Sequence, residues 1–139
     1  MKRMYPVIFT QTDNGVLVEV PDLEILTEGT DMENAIDMAR DAISITIISM
    51  EDNNEAVTEP TRIEDVDVLR GTFAENGKGF VSIVDTNIDE YRRKVDTKPV
   101  RRNVSLPGWL NYEVNAAGIN VSRFLQDALV EKLNIDRRM

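Results

Sequence analysis

The sequence predicts a mixed α+β fold in two parts, a small sheet-and-helix domain followed by one strand and two helices. Strand-like β-branched runs recur in the first part, whereas two amphipathic helical patterns occupy the end of the chain. The charge divides in the same way, with a net charge of −12 over residues 1–97 and +3 over residues 98–139. Such a division predicts two functions in one chain, one of them on an anionic polymer. The polar stretch that ends at Pro99 is the expected linker, so we place the domains at 1–95 and 96–139.

The first domain is predicted to begin with a β-hairpin. Residues 4–10 have the aromatic and β-branched content of a strand, and residues 16–20 return as a second strand. Asp13-Asn14-Gly15 between them is a turn signal. Residues 25–29 form a third short strand in this interpretation. Thr30 and Glu33 then fit a capping box, which begins a helix whose apolar face can cover the sheet.

The rest of the first domain is predicted from weaker patterns. Residues 51–67 are acidic and loop-like, with a short helix expected at 60–64. A strand is expected at 78–84 and one or two helical turns at 87–95.

The composition excludes several kinds of chemistry. The chain contains no cysteine, which removes disulfides and thiolate nucleophiles. It also contains no histidine, which removes the Ser-His-Asp triad and the commonest zinc ligand. We expect no cofactor, no metal and no catalytic residue, although carboxylates alone leave metal-dependent chemistry open. Every apolar run is far shorter than the roughly 20 residues that span a bilayer, and the expected location is the cytoplasm.

The basic segment after Pro99 has the alternation of a strand with one polar face. Val104 and Leu106 face one way, while Arg101, Asn103 and Ser105 face the other. A two-stranded ribbon fits the major groove of DNA, where arginine can bind guanine and asparagine can bind adenine. These three polar residues are therefore the predicted base-reading set.

Two helices follow the strand, which is the order of a ribbon-helix-helix DNA-binding module. Gly118 suits the end of the first helix, and Asn120 suits the N-cap of the second. We expect Asn120, Val121 and Ser122 to bind a DNA phosphate at that helix N-terminus. A segment of this size can hardly build a core alone, and a lone strand lacks a partner, so the module predicts a homodimer or higher oligomer. The alternative is an ordinary edge strand with helices that serve only oligomerisation.

Runs of residues in both parts of the chain carry a resemblance to a known family. In the second part these are the runs at 103–107, 118–122 and 124–129. In the first part they are Tyr5 to Phe9, Gly15 to Leu23, Thr27 to Gly29, Glu33 to Ala35 and Val81 to Tyr91. In order and spacing these runs resemble those of the HicB antitoxins, and they cover nearly the whole chain. One departure is the run Glu24-Ile25-Leu26 at a place where the family commonly has Pro-Gly-Cys. We therefore expect a more regular strand there instead of a tight turn.

The resemblance implies a fold and a function. The N-terminal domain would be a small αβ domain like a truncated ribonuclease H, which binds a HicA-type toxin, a basic mRNA-cleaving ribonuclease. The C-terminal domain would bind operator DNA and so repress the antitoxin's own operon. The acidic half fits a basic partner, since residues 11–67 hold sixteen Asp/Glu and two Arg. Asp22, Glu24 and Glu28 are the expected toxin contacts, because they surround a strand-edge loop.

Two other functions are compatible with the residues alone. Carboxylates can hold paired metal ions for nuclease chemistry without histidine, with Glu19, Asp37 and Asp41 as candidates. The chain could also be a stand-alone ribbon-helix-helix repressor whose N-terminal domain senses a small molecule.

Overall fold

The computed structural model describes residues 1–135 and divides the chain into two compact units, Met1–Asp96 and the segment from Thr97 onward. The predicted mixed α+β class is confirmed. The strands are β1 (Lys2–Thr12), β2 (Gly15–Val20), β3 (Ile25–Gly29) and β4 (Lys78–Asn87), and the helices are α1 (Met32–Asp52), α2 (Ile88–Val95), α3 (Gly108–Ala117) and α4 (Val121–Leu133). Within residues 1–135, no helix combines the length and apolar character needed to cross a membrane.

The N-terminal unit is built on a four-stranded antiparallel sheet in the order β3-β2-β1-β4. The predicted hairpin between β1 and β2 is confirmed. Gly15 begins β2 with φ +147°, and a Cβ there would lie 2.6 Å from the carbonyl oxygen of Gly29, so the turn requires glycine. The strand predicted at 78–84 forms and continues to Asn87, which gives β4 ten residues of pairing with β1.

Helix α1 covers one face of the sheet and encloses the core. Its β-branched stretch stays helical to Asp52 because the side chains of Ile43 and Ile47 are fully buried against the sheet. Burial of this kind contributes roughly 1.5–3 kcal/mol per side chain, which outweighs the small helix-propensity cost. On the strand side, the core comprises Tyr5, Val7, Phe9, Val16, Val18, Val20 and Val84. One polar pair lies within it, since the hydroxyls of Ser44 and Thr86 form a buried hydrogen bond.

The start of α1 differs from the prediction by one residue. Asp31, not Thr30, is the N-cap, and its side chain accepts a hydrogen bond from the backbone N–H of Asn34 at 2.8 Å. In return, Asn34 Oδ1 accepts the N–H of Thr30 at 2.9 Å. In a capping box the side chain at N3 accepts the N–H of the N-cap itself. Here Asn34, not Glu33, reaches back, and it accepts the N–H of the residue before the N-cap.

The turn after β2 also corrects the prediction. A more regular strand was expected at Glu24-Ile25-Leu26, but Pro21–Leu23 form a 3-10 turn and Glu24 is left-handed at φ 55°. The N–H of Glu24 donates to the carbonyl of Pro21 at 3.2 Å, which closes the turn. The proline favours this geometry because its fixed φ suits the first position of such a turn. Strand β3 then starts at Ile25, within the predicted range.

The other face of the sheet lies beneath residues 58–77, which we call the outer loop. A short helix was predicted at 60–64, but the loop contains two 3-10 turns instead, Ile63–Asp65 and Val68–Arg70. Ile8 and Thr10 face away from α1 and are nevertheless almost fully buried. A Cβ on Gly71 would touch Ile8 Cδ1, and one on Gly79 would touch Val68, so the loop covers this part of the sheet.

Polar contacts attach the edge strand and α2 to α1. The Nε of Arg40 donates to the backbone carbonyl of Asp85 on β4 at 2.9 Å. Helix α2 confirms the predicted helical turns at 87–95, and its Ile88 is fully buried. Arg92 on α2 binds Glu51 at 3.2 Å and Asp52 at 2.8 Å, both at the end of α1.

The C-terminal unit consists of the two consecutive helices α3 and α4, joined by a short connection and preceded by chain without regular secondary structure. Gly118 ends α3 in the left-handed conformation, and the Asn120 side chain caps α4, both as predicted. Residues 97–107 contain no regular secondary structure in the single chain. No residue of this unit, as far as Ile135, is fully buried. The half-buried side chains are Leu106, Leu110, Val114, Val121, Leu125, Val130 and Ile135.

Candidate partner-binding surfaces of the two units

The outer loop is fastened to the sheet by two carboxylate–threonine contacts. Asp22 accepts the backbone N–H of Thr61 at 2.8 Å and its hydroxyl at 2.5 Å. Glu19 accepts the N–H of Thr72 at 2.8 Å and its hydroxyl at 2.7 Å. Each carboxylate therefore binds two donors of one threonine, and charge-assisted hydrogen bonds of this kind are about twice as strong as neutral ones. These contacts join residues 39 and 53 positions apart. No local sequence pattern indicates them.

A cleft of about 320 Å³ remains between the sheet and the outer loop. Its apolar lining comes from Ile8, Pro21, Val66 and Gly71, and it is also lined by Thr61 and by the charged side chains of Glu19, Asp22, Asp65, Asp67 and Arg70. The two 3-10 turns of the loop bring Asp65 and Asp67 to this place. The cleft combines an apolar surface with an excess of negative charge, so it is suited to a cationic group that also carries an aliphatic part.

The three expected toxin contacts do not play equivalent roles. The Asp22 carboxylate is engaged by Thr61, whereas Glu24 and Glu28 are exposed. Glu28 lies on β3 opposite Leu17, and Leu26 lies opposite Glu19. Leu26 is 56% exposed, so apolar and acidic side chains alternate on the outward face of this sheet edge.

The nuclease candidates do not form a metal site. Glu19 belongs to β2 and binds Thr72, while Asp37 and Asp41 belong to the exposed surface of α1. Over residues 1–135, no three carboxylates lie close enough together to hold a metal ion.

One buried ionisable group adjoins the outer loop. The Tyr5 hydroxyl donates a 2.6 Å hydrogen bond to the carbonyl oxygen of Thr58, which fixes the point where the loop begins. Burial raises the pKa of the Tyr5 phenol above its ordinary value, and the nearby carboxylates of Glu59 and Asp22 act in the same direction, against the opposing effect of Arg3.

In the C-terminal unit, the predicted DNA contacts are all accessible. Arg101, Asn103 and Ser105 are exposed within the stretch that has no secondary structure. At the start of α4, Asn120 Oδ1 accepts the N–H of Arg123 at 3.1 Å. The Arg123 amide is therefore occupied and is not available to a phosphate. The amides of Val121 and Ser122 remain as the candidate phosphate donors.

The C-terminal unit exposes a large amount of apolar surface. Phe124, Leu129 and Leu133 on α4 are each more than half exposed in the single chain. Trp109 on α3 is 70% exposed. The exposed set also includes Val100, Val104, Tyr112 and Ile119. Exposed apolar surface on this scale usually marks an interface.

Comparison with known proteins supplies the family. The chain matches the family model described as "HicB_like antitoxin of bacterial toxin-antitoxin system" over residues 5–128. A search of curated proteins gave no match. The chain is similar to a chain of a toxin–antitoxin complex from Streptococcus pneumoniae, with 22% identity, a TM-score of 0.62, and coverage of 95% of this chain and 99% of that one. It is also similar to the antitoxin HicB of Burkholderia pseudomallei, with 24% identity, a TM-score of 0.50, and coverage of 94% and 96%.

These two structural likenesses, at such low identity, support the fold. The family model covers nearly the whole chain, including the sheet of the N-terminal unit, helix α3 and the first part of helix α4. The protein belongs to the HicB-like antitoxins of bacterial toxin–antitoxin systems.

Proposed function

We propose that this antitoxin binds and neutralises a HicA-type mRNA-cleaving ribonuclease and represses its own operon by binding operator DNA as a homodimer. The observation that carries the proposal is the opposite charge of the two units, −12 over residues 1–97 and +3 over residues 98–139, in a member of this family. The acidic unit suits a basic ribonuclease, and the basic unit suits DNA. Both partners would be met in the cytoplasm, and the protein itself would perform no catalysis.

The toxin-binding surface is assigned to the acidic sheet edge around β3. Glu24 and Glu28 are exposed there, beside the exposed Leu26. A ribonuclease must attract RNA phosphates with positive charge, so a negative surface can occupy the same groups. Asp22 contributes by fixing the outer loop through Thr61. The N-terminal unit would use the truncated ribonuclease H-like arrangement as a rigid support for this surface.

The DNA-binding surface is assigned to residues 100–106 of two chains. In the single chain this segment has no paired strand, and the helices α3 and α4 leave their apolar side chains exposed. Antiparallel pairing of two such segments would satisfy their backbone amides and bury Phe124, Leu129 and Leu133, as in a ribbon-helix-helix dimer. Arg101, Asn103 and Ser105 would then present their side chains to the major groove, and Asn120, Val121 and Ser122 would bind phosphate.

The toxin assignment is tested by co-expression with the HicA-type protein encoded beside this gene. The expected result is co-purification of the two proteins and loss of ribonuclease activity in the complex. A wild-type antitoxin that neither co-purifies with that protein nor reduces its ribonuclease activity would overturn the assignment.

The DNA assignment is tested by Arg101→Ala with Arg102→Ala as the matched control. Loss of a two-bond contact to guanine should cost about 1–3 kcal/mol and relax operator specificity. Arg102 would lie on the other face of the strand. Its loss should therefore weaken binding to specific and to non-specific DNA by a similar factor. Operator titrations at two salt concentrations separate these effects. Equal loss of specificity in both variants would contradict the base-reading role of Arg101.

A further inference from the structure

The cleft beneath the outer loop is concave and combines apolar and acidic residues, whereas the sheet edge at β3 is an exposed surface. Ile8, Pro21 and Val66 give it an apolar lining, and the carboxylates of Asp65 and Asp67 lie at the same cleft. Two charge-assisted contacts hold the covering loop in place at Thr61 and Thr72. The cleft is therefore defined by anchored backbone on both sides, and a partner's side chain would meet a preformed space.

We infer that this cleft receives one arginine or lysine side chain of the basic partner. This inference rests on the proposed toxin-binding function. Such a side chain has an aliphatic stem that can lie along Ile8, Pro21 and Val66. Its cationic head can reach Asp65, whose carboxylate has no hydrogen bond or ion pair among residues 1–135. A polar side chain of similar length without charge would form no ion pair with Asp65 and should bind less well.

Arg70 already places a guanidinium at the open side of the cleft. Its Nε lies 3.8 Å from Asp67 Oδ2, and its side chain is 89% exposed. An ion pair this exposed is weak and exchanges readily. Arg70 therefore acts as an internal competitor that the partner's cation displaces, and its removal should not weaken binding.

The experiment compares three full-length variants for binding to the purified HicA-type toxin of the same operon. Asp65→Lys places a like charge against the incoming cation and should weaken affinity at least about tenfold, mainly through slower association at low salt. Asp13→Lys makes the same charge change at the exposed β1–β2 turn and should change affinity less than about twofold. Arg70→Ala should bind as tightly as wild type or more tightly.

The outcomes separate this inference from the proposed function. Equal affinities for Asp65→Lys and Asp13→Lys, with wild type binding normally, would overturn the cleft assignment and leave the toxin-binding function intact. A tenfold loss in Arg70→Ala would likewise overturn it, because Arg70 would then be a contact residue. Absence of binding by wild type would overturn the proposed function together with the inference. Far-UV circular dichroism checks the fold, which Asp65→Lys should preserve because this side chain is exposed and its carboxylate makes no hydrogen bond or ion pair with residues 1–135.

Discussion

The two units of the chain differ most in what they do with apolar side chains. The N-terminal unit fully buries fourteen of them, from Tyr5 to Ile88. The described part of the C-terminal unit fully buries none and leaves eight large ones exposed. The first unit has a sheet, a long helix and a covering loop, and so has both layers of a domain. The second has two short helices, and a segment of about 40 residues is near the lower limit for independent folding. The N-terminal unit therefore has a closed core in the single chain, whereas the C-terminal unit has no buried residue as far as Ile135, which is the pattern that the proposed homodimer would complete.

The largest expected effect comes from Ile43→Ala in α1. Removal of a fully buried isoleucine should lower the free energy of unfolding of the N-terminal unit by about 2–5 kcal/mol. Trp109 is the single tryptophan and lies in the C-terminal unit, so its fluorescence reports that unit separately. Urea unfolding is followed by circular dichroism and by tryptophan fluorescence. The unfolding midpoint should fall mainly in the circular dichroism signal. An equal shift in both signals would break the comparison.

The next effect is the concentration dependence of the C-terminal unit. If a second copy covers its exposed apolar surface, each tenfold rise in protein concentration should stabilise it by about 1.4 kcal/mol per mole of dimer. Trp109 emission should also shift to shorter wavelength as the dimer forms. Thermal unfolding over a hundredfold concentration range measures this, with the N-terminal transition as the internal control. A tryptophan transition that stays constant over that range would contradict the dimer.

The smallest effect concerns Tyr5, which ties the outer loop to the core. Tyr5→Phe should cost the N-terminal unit about 0.5–1.5 kcal/mol through loss of the hydrogen bond to Thr58. Because folding raises the pKa of this phenol, its stabilising contribution is fully present below about pH 10 and is lost as the pH rises through the folded value. Unfolding measured from pH 8 to 11 should therefore show a steeper loss in wild type than in Tyr5→Phe. Parallel curves would contradict the assignment of this pH dependence to Tyr5.

Local patterns predicted most of the elements, because the signals for hairpins, caps and amphipathic helices lie within a few residues. The β1–β2 turn, Gly118 and Asn120 were all predicted correctly. The predicted position of the α1 N-cap was wrong by one residue, because Thr30 and Asp31 are both residue types that suit an N-cap. The hydrogen bonds of Asn34 to both residues fix Asp31 as the cap. The prediction of a regular strand at Glu24 was wrong, because no sequence pattern indicates that a glutamate adopts the left-handed conformation.

The sequence predicted the negative charge of the acidic site but not the arrangement of its side chains. The sequence alone predicted that a basic partner binds the acidic residues 11–67. It also predicted Asp22, Glu24 and Glu28 as the contact residues. It did not indicate that Asp22 and Glu19 each hold a distant threonine, because those pairs form only when the outer loop folds over the sheet. The cleft at Asp65 could not be predicted for the same reason. The base-reading and phosphate-binding residues remain predictions, since they depend on an arrangement of two chains.

The contact between Arg40 and the Asp85 carbonyl has a consequence for colloidal behaviour. Strand β4 is a ten-residue edge strand with Phe80 and Ile83 exposed, and such edges are templates for aggregation between identical sheets. The Arg40 side chain occupies a backbone acceptor near the end of that edge and places a charge beside it. An incoming strand would have to displace this guanidinium before pairing along the full edge. We therefore expect Arg40 to hinder pairing between the open edges of two such sheets and so to reduce aggregation.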